Sequence, residues 1–170
     1  GVHGRVELRR AAGLRDRDPD YSQWRLEGRA YLPVFAKRRV IAVRGVYAGV
    51  APGGGVSTSM PFYRLAQSDG TSRFAGYDSE RSRDRQLVLA RIEYRWEILY
   101  RMSALGLYER GAVAPRAEAF LLRRAHESYG GGLRLGVSDV SALRLEVANS
   151  DEGLHTSLVL GGTSDAPRLP

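Results

Sequence analysis

The stretch Leu87-Val88-Leu89-Ala90-Arg91-Ile92-Glu93-Tyr94-Arg95-Trp96-Glu97 decides the fold. Arg91, Glu93, Arg95 and Glu97 alternate with Val88, Ala90, Ile92, Tyr94 and Trp96. Side chains on a strand point to opposite faces with a period of two, so this segment has one ionic face and one apolar face. Arg25, Glu27 and Arg29 repeat the pattern against Trp24, Leu26 and Ala30, and Arg144 and Glu146 repeat it against Leu143, Leu145 and Val147. Opposite charges two residues apart on one face can pair along and across strands, as they would inside a wet barrel. The pattern predicts an all-β chain: an antiparallel transmembrane β-barrel, or a large piece of one. Arg91, Glu93, Arg95, Arg134, Arg144 and Glu146 are its expected lumen-facing ionic residues.

Composition sets the outer limits. The 170 residues hold 26 Lys+Arg against 19 Asp+Glu, are 43% hydrophobic, and include 20 Gly and no Cys. That is too apolar for a disordered chain, and the length suits a single domain. No stretch reaches the roughly 18 apolar residues of a membrane helix. A β-barrel needs none, because only every other residue faces lipid. Glycine exceeds its ~7% average, and barrels use it at bends and where bulk must leave the lumen. The net charge of +7 invites a nucleic-acid reading. Arginine interleaved with glutamate argues against it, since a phosphate-binding surface gathers cations without anions. The chain opens at Gly1 with no Met and no signal-peptide pattern, so a fragment of something longer is expected.

Eight strands are predicted: Gly4–Ala12, Ser22–Val34, Arg38–Val50, Arg85–Ile98, Met102–Val113, Ser128–Val137, Ala142–Ala148 and Leu154–Leu160. The connections alternate between short (35–37, 99–101, 138–141) and long (51–84, 114–127), with 149–153 a short turn where a long one is due. Outer-membrane barrels have short periplasmic turns and longer extracellular loops, which is this alternation. In Met102–Val113 the adjacent Glu109 and Arg110 must face opposite sides. Glu109 is assigned inward with Leu105 and Leu107, and Arg110 outward near headgroups.

Tyr94, Trp96 and Tyr100 gather at the short-turn end, where an interfacial girdle would sit, and Trp24 lies near the long-loop end. Period two alone does not say which face is inside, and the same aromatics could pack a soluble core. The ionic face carries both signs and Lys is nearly absent, with Lys37 in a short turn. Both features favour the membrane orientation.

Pro61-Phe62-Tyr63, Ser68-Asp69-Gly70, Phe74-Ala75-Gly76-Tyr77 and Arg81-Ser82-Arg83-Asp84, followed by Ile92-Glu93-Tyr94-Arg95-Trp96, form an ordered set. It resembles the end of the BamA/TamA-type outer-membrane assembly factors, the bacterial surface antigen family. Tyr108-Glu109-Arg110-Gly111-Ala112-Val113-Ala114-Pro115, Ser128-Tyr129-Gly130-Gly131-Gly132-Leu133-Arg134, Leu143–Ala148 and Asp151-Glu152-Gly153 are similar to later segments of that family. The resemblance spans most of Arg38 to Gly161. It implies the carboxy-terminal half of a sixteen-stranded barrel, preceded in the full protein by POTRA domains. It also implies that 51–84 is a loop folded back into the lumen, with Arg73, Phe74, Ala75, Gly76, Tyr77, Arg81, Arg83 and Asp84 as its functional motif. The family carries an arginine at the position of Ala75 that pairs with acidic residues of the wall; Arg73, two positions away, is the candidate substitute. The family closes its last strand on an aromatic residue, whereas here a polar tail, 162–170, follows Leu158-Val159-Leu160-Gly161.

Catalysis finds little support. Asp151, His155 and Ser157 are close in sequence, but on a strand His155 and Ser157 are same-face neighbours and not a triad. Gly53-Gly54-Gly55 lacks the Lys-Ser/Thr of a phosphate loop, and no metal-ligand spacing occurs. The resemblance implies a non-enzymatic protein without cofactors. It would reside in the bacterial outer membrane, in contact with membrane lipid, and insert or translocate nascent outer-membrane proteins or lipids. A passive pore or small structural barrel, whose first and last strands would pair directly, uses the same pattern. A soluble ligand-binding barrel would need the apolar face inward.

Overall fold

Apolar and ionic residues alternating over many positions favour long strands, and the computed structural model contains them. It describes residues 1–11, 20–34, 38–53, 66–67, 75–77, 83–117, 120, 125–136 and 141–162. The strands in chain order are β1 (Val2–Ala11), β2 (Tyr21–Pro33), β3 (Arg39–Pro52), β4 (Ala66–Gln67), β5 (Arg83–Asp84), β6 (Gln86–Leu99), β7 (Met102–Ala114), β8 (His126–Gly136), β9 (Ser141–Ser150) and β10 (Gly153–Gly162). Eight of them form one sheet in the order β1-β2-β3-β6-β7-β8-β9-β10, each antiparallel to the next. The two-residue strands β4 and β5 pair with each other within the long connection from β3 to β6.

The eight long strands are the ones expected, with ends displaced by a few residues. β8 starts at His126, a residue the sequence pattern leaves in the preceding loop. Its ring meets that of Tyr77 edge-on, with centroids 5.0 Å apart. β10 runs through Gly161 and Gly162, past the expected end at Leu160. The strands hold 10 to 14 residues. A tilted strand needs about 9–11 to cross a bilayer core. No helix among the described residues is long and apolar enough to cross a membrane.

Register fixes the faces. Arg91 stands opposite Arg44 on β3 and Glu109 on β7, and directly opposed residues share a face. On that face Arg91 is 8% exposed and Glu93 4%, while Ile92 and Trp96 on the other face are 49% and 44% exposed. The ionic ladder is therefore inside and the apolar ladder outside, the reverse of a soluble barrel. Glu109, Leu105 and Leu107 are buried, and Arg110 lies outside against Glu127 at 3.4 Å.

Arg91 and Glu146 lie on β6 and β9, three strands apart, yet their side chains meet at 2.6 Å. Neighbouring strands are about 4.8 Å apart and side chains stand roughly perpendicular to the sheet, so contact over three spacings requires the sheet to curl around its ionic face. Gly130 and Gly132 leave room for β9 beside β8 on that face. A Cβ on Gly130 would lie 2.1 Å from the Val147 carbonyl oxygen, and one on Gly132 would lie 2.2 Å from that of Leu145. Only bare backbone lets β9 lean over β8 this closely.

Two tight turns carry the left-handed conformations: Arg101 (φ 60°) between β6 and β7, and Gly153 (φ 108°) after Asp151–Glu152. The Arg101 carbonyl accepts the Gly136 N–H at 2.7 Å, tying that turn to the end of β8. The sheet does not close on itself. Among the described residues β1 is paired with β2 alone and β10 with β9 alone, so the direct pairing of first and last strands that a self-contained eight-stranded barrel requires is not formed.

Candidate functional site

The centre of the inward face is a closed ionic network on β6, β7 and β9. The Arg91 guanidinium donates from Nε to Glu93 at 2.5 Å, from Nη1 to Glu109 Oε1 at 2.7 Å and from Nη2 to Glu146 at 2.6 Å. Arg95 donates to Glu93 Oε2 at 2.7 Å. Arg144 bridges Glu93, at 2.6 Å, and Glu146. Three arginines thus face three glutamates. Buried charge is tolerable when every ion is paired and its remaining donors and acceptors are used, and the planar fork of arginine suits several carboxylates at once. Arg134 shares this inward face near the short turns, opposite Ser103 and Arg144.

A second cluster lies on β2 and β3. Glu27 is held by Arg29 at 2.6 Å, Arg44 at 2.8 Å and Arg25 at 3.7 Å. Arg44 Nη2 is buried without a hydrogen-bond partner among the described residues.

Next to the central network sits the tip of the 51–84 connection. The Ala75 N–H donates to Glu109 Oε2 at 2.6 Å, and Ser128 Oγ donates to the same oxygen at 3.0 Å. Glu109 is wholly buried, and both its oxygens are occupied. Ser150 Oγ donates to the Gly76 carbonyl at 2.6 Å. A Cβ on Gly76 would come within 2.5 Å of Ser128 Cβ and 3.0 Å of Ser150 Cβ, so this close approach requires glycine. The Tyr77 hydroxyl donates to Asp151 Oδ1 at 2.5 Å and accepts from the Glu127 N–H at 3.2 Å. Its ring enters an apolar cluster of Val46, Leu87, Leu89 and Val113. Burial, reinforced by the Asp151 carboxylate, pushes the Tyr77 phenol up to about 12.

Among the expected loop residues, Ala75, Gly76 and Tyr77 are thus placed together on the wall. Arg83 and Asp84 form β5, with the Asp84 carboxylate accepting the Arg85 N–H at 2.8 Å. Arg73, Phe74 and Arg81 lie outside the described residues. Among the described residues the cation paired with Glu109 is Arg91, on the wall itself. The sequence reading places Glu109 inward but does not single it out, and it misses Ser128 and Ser150. A lone carboxylate following Leu105 and Leu107 on the same face is the signal that marks Glu109; two serines on separate strands carry none. Asp151 is engaged by Tyr77, while His155 and Ser157 share the inward face of β10. Among the described residues no group of His, Cys, Asp and Glu could hold a metal ion.

No protein-family model matches the sequence. No curated protein matches it either. Among solved structures, the chain is similar to the crystal structure of BamA from Haemophilus ducreyi lacking POTRA domains 1-3, with a TM-score of 0.71 and 16% sequence identity. The match covers 95% of this chain and 38% of that one, so the chain spans well under half the length of that protein. At this identity the likeness concerns architecture, and fold alone does not set activity. The chain has the fold of a BamA-type barrel, with its ionic ladder inward and a loop tip seated on it.

Proposed function

We propose that this chain is the carboxy-terminal half of a sixteen-stranded outer-membrane barrel that inserts or transports proteins, or lipids, at the bacterial outer membrane. One observation carries the reading: the tip Ala75–Tyr77 is built into the inward wall of a BamA-type sheet through Glu109, Ser150 and Asp151. The proposed work is mechanical, with no cofactor and no bond made or broken. Among the described residues no strand lies on the outer edge of β10. Unpaired backbone groups are costly in lipid, and an open edge is a template for an arriving strand. The first strand of the full barrel would close this seam and would lie upstream of Gly1, after POTRA domains. The partners are nascent outer-membrane proteins and the surrounding lipid. The same unpaired edge weighs against a small self-contained pore.

Depletion of the native protein in its source bacterium tests the proposal. Folded, heat-modifiable outer-membrane proteins should fall, or surface lipid should change. A cysteine placed at Thr156 on β10 should cross-link to arriving strands. Unchanged proteins and lipid together with no cross-link would overturn the reading, and loss of small-solute permeability alone would favour a pore.

A further inference from the structure

Arg29 on β2, Arg44 on β3 and Arg91 on β6 stand directly opposite one another in register, a row of three guanidiniums across the inward face. Like charges opposed in this way destabilise a sheet unless anions lie among them. Arg91 meets Glu93, Glu109 and Glu146, each within 2.7 Å. Arg44 pairs with Glu27 at 2.8 Å, a carboxylate that Arg29 and Arg25 also hold. That contact uses Arg44 Nε. Nη2 of the same guanidinium is buried and meets no hydrogen-bond partner. A buried charged donor left without an acceptor costs more than a neutral one, and the planar fork of arginine suits two oxygens at once. The Arg44 side chain is 18% exposed, so it borders the inward surface and is not sealed beneath it.

We propose that Arg44 is the centre of an oxyanion site on the inward face, which takes a phosphate group through its unused Nη2 with the positive field of Arg29 and Arg25 beside it. The site depends on β2 and β3 and not on the role proposed above, so the two stand or fall separately. Chemistry selects the ligand. Water would satisfy the N–H and leave the charge as it is. Glu27 already supplies one carboxylate, and three guanidiniums converge on it. A phosphate brings more oxygens and up to two charges, so it can meet the Arg44 fork while offsetting a neighbouring cation. Free phosphate and the phosphate of a lipid headgroup present the same oxygens. Entry from the inward side requires the Arg44 fork to turn far enough to uncover Nη2, a side-chain motion that leaves the strand in place.

The test is equilibrium binding of radiolabelled inorganic phosphate to the native full-length protein in a non-ionic maltoside detergent, at constant ionic strength. The wild type should show one saturable site. Arg44→Lys keeps a cation for Glu27 but lacks the fork, and its affinity should fall by about ten-fold; Arg44→Gln should fall further. Arg110→Gln, which removes an outward arginine, should bind as the wild type does. If Arg44→Gln does not fold, Arg44→Lys decides alone. Dihexanoyl phosphatidic acid then identifies the source: a lipid that displaces the label marks a headgroup site, and one that does not marks a site for the free ion. Either result supports the site. No saturable binding by the wild type, or an affinity that Arg44→Lys leaves unchanged, would overturn the inference.

Discussion

The backbone N–H of Ala75 donates to Glu109 Oε2 at 2.6 Å, although 34 residues separate them in the chain. Because the donor is main chain, no arginine is needed at this position to reach the wall. Arg91 occupies Glu109 Oε1 at 2.7 Å, so the wall itself supplies a cation to this carboxylate. Residues on three separate elements, the tip, β6 and β8, thus depend on one side chain.

Glu109→Ala would leave Arg91, the Ala75 N–H and Ser128 without their shared acceptor. Removing one partner of a buried ion pair costs about 3–5 kcal/mol when the other ion is left unpaired, and the low end applies here because Arg91 keeps Glu93 and Glu146. Urea titration of the folded protein, followed by heat-modifiable gel migration, should show a loss of that order. Glu109→Gln keeps an acceptor for Ala75 but removes one of the three carboxylates around Arg91, so the tip should stay docked while stability still falls. If Glu109→Ala matched the wild type in urea, the network would not hold this wall together.

Substitution at Gly76 should expel the tip. The Cβ of Gly76→Ala would meet Ser128 Cβ at 2.5 Å, inside any tolerated contact. A thiol reporter in place of Ala75 should then react with a water-soluble maleimide much faster than in the Gly76 parent. Ser128→Gly in the same background removes the opposing carbon and should restore part of the protection. Expulsion that Ser128→Gly does not relieve would mean that the clash is elsewhere.

The Tyr77 phenol gives the docked tip a pH dependence. Its ordinary value of 10.0 rises to about 12 in the folded protein. The folded state then holds the phenolic proton over the window from about 10 to about 12, where the unfolded chain has released it. Stability from this group is fully present below about 10 and is lost as pH rises through about 12. A difference ultraviolet titration of wild type against Tyr77→Phe should show one phenol ionising late. A difference curve centred at 10 would place the ring in water.

Sequence periodicity reads the strands and their faces well here, because inward ionic residues such as Arg91 and Glu93 have an apolar neighbour on either side. Arg91 and Glu93 are assigned inward by that rule alone, and so is Glu109, once Arg110 is sent outward. The rule says nothing about curvature. Neither the Arg91–Glu146 contact across three strands nor the need for bare backbone at Gly130 and Gly132 shows in the pattern; both appear only once β9 lies beside β8. It also overlooks the change of character along the inner face, where Leu87 and Leu89 continue the register of Arg91 but meet Tyr77. A ring brought in from a distant loop leaves no trace in the periodicity of the strand that receives it.

Orientation itself is open to a direct trial at Ile92, which points outward between the inward Arg91 and Glu93 and is 49% exposed. If that face meets hydrocarbon, Ile92→Arg buries a charge in lipid. Near the bilayer midplane this costs about 2–4 kcal/mol, falling toward zero at the interfaces. On a water-facing strand the same substitution would change stability by no more than about 0.5 kcal/mol. Folding of the native protein into phospholipid vesicles, titrated with urea, separates the two outcomes. Ala104→Arg, at the short-turn end of the same face and opposite Trp96, provides the depth control. It should cost less than Ile92→Arg, because a long side chain near the interface can turn its charge toward the headgroups. Equal and negligible losses at both positions would put the apolar ladder in water and reverse the assignment of inside and outside.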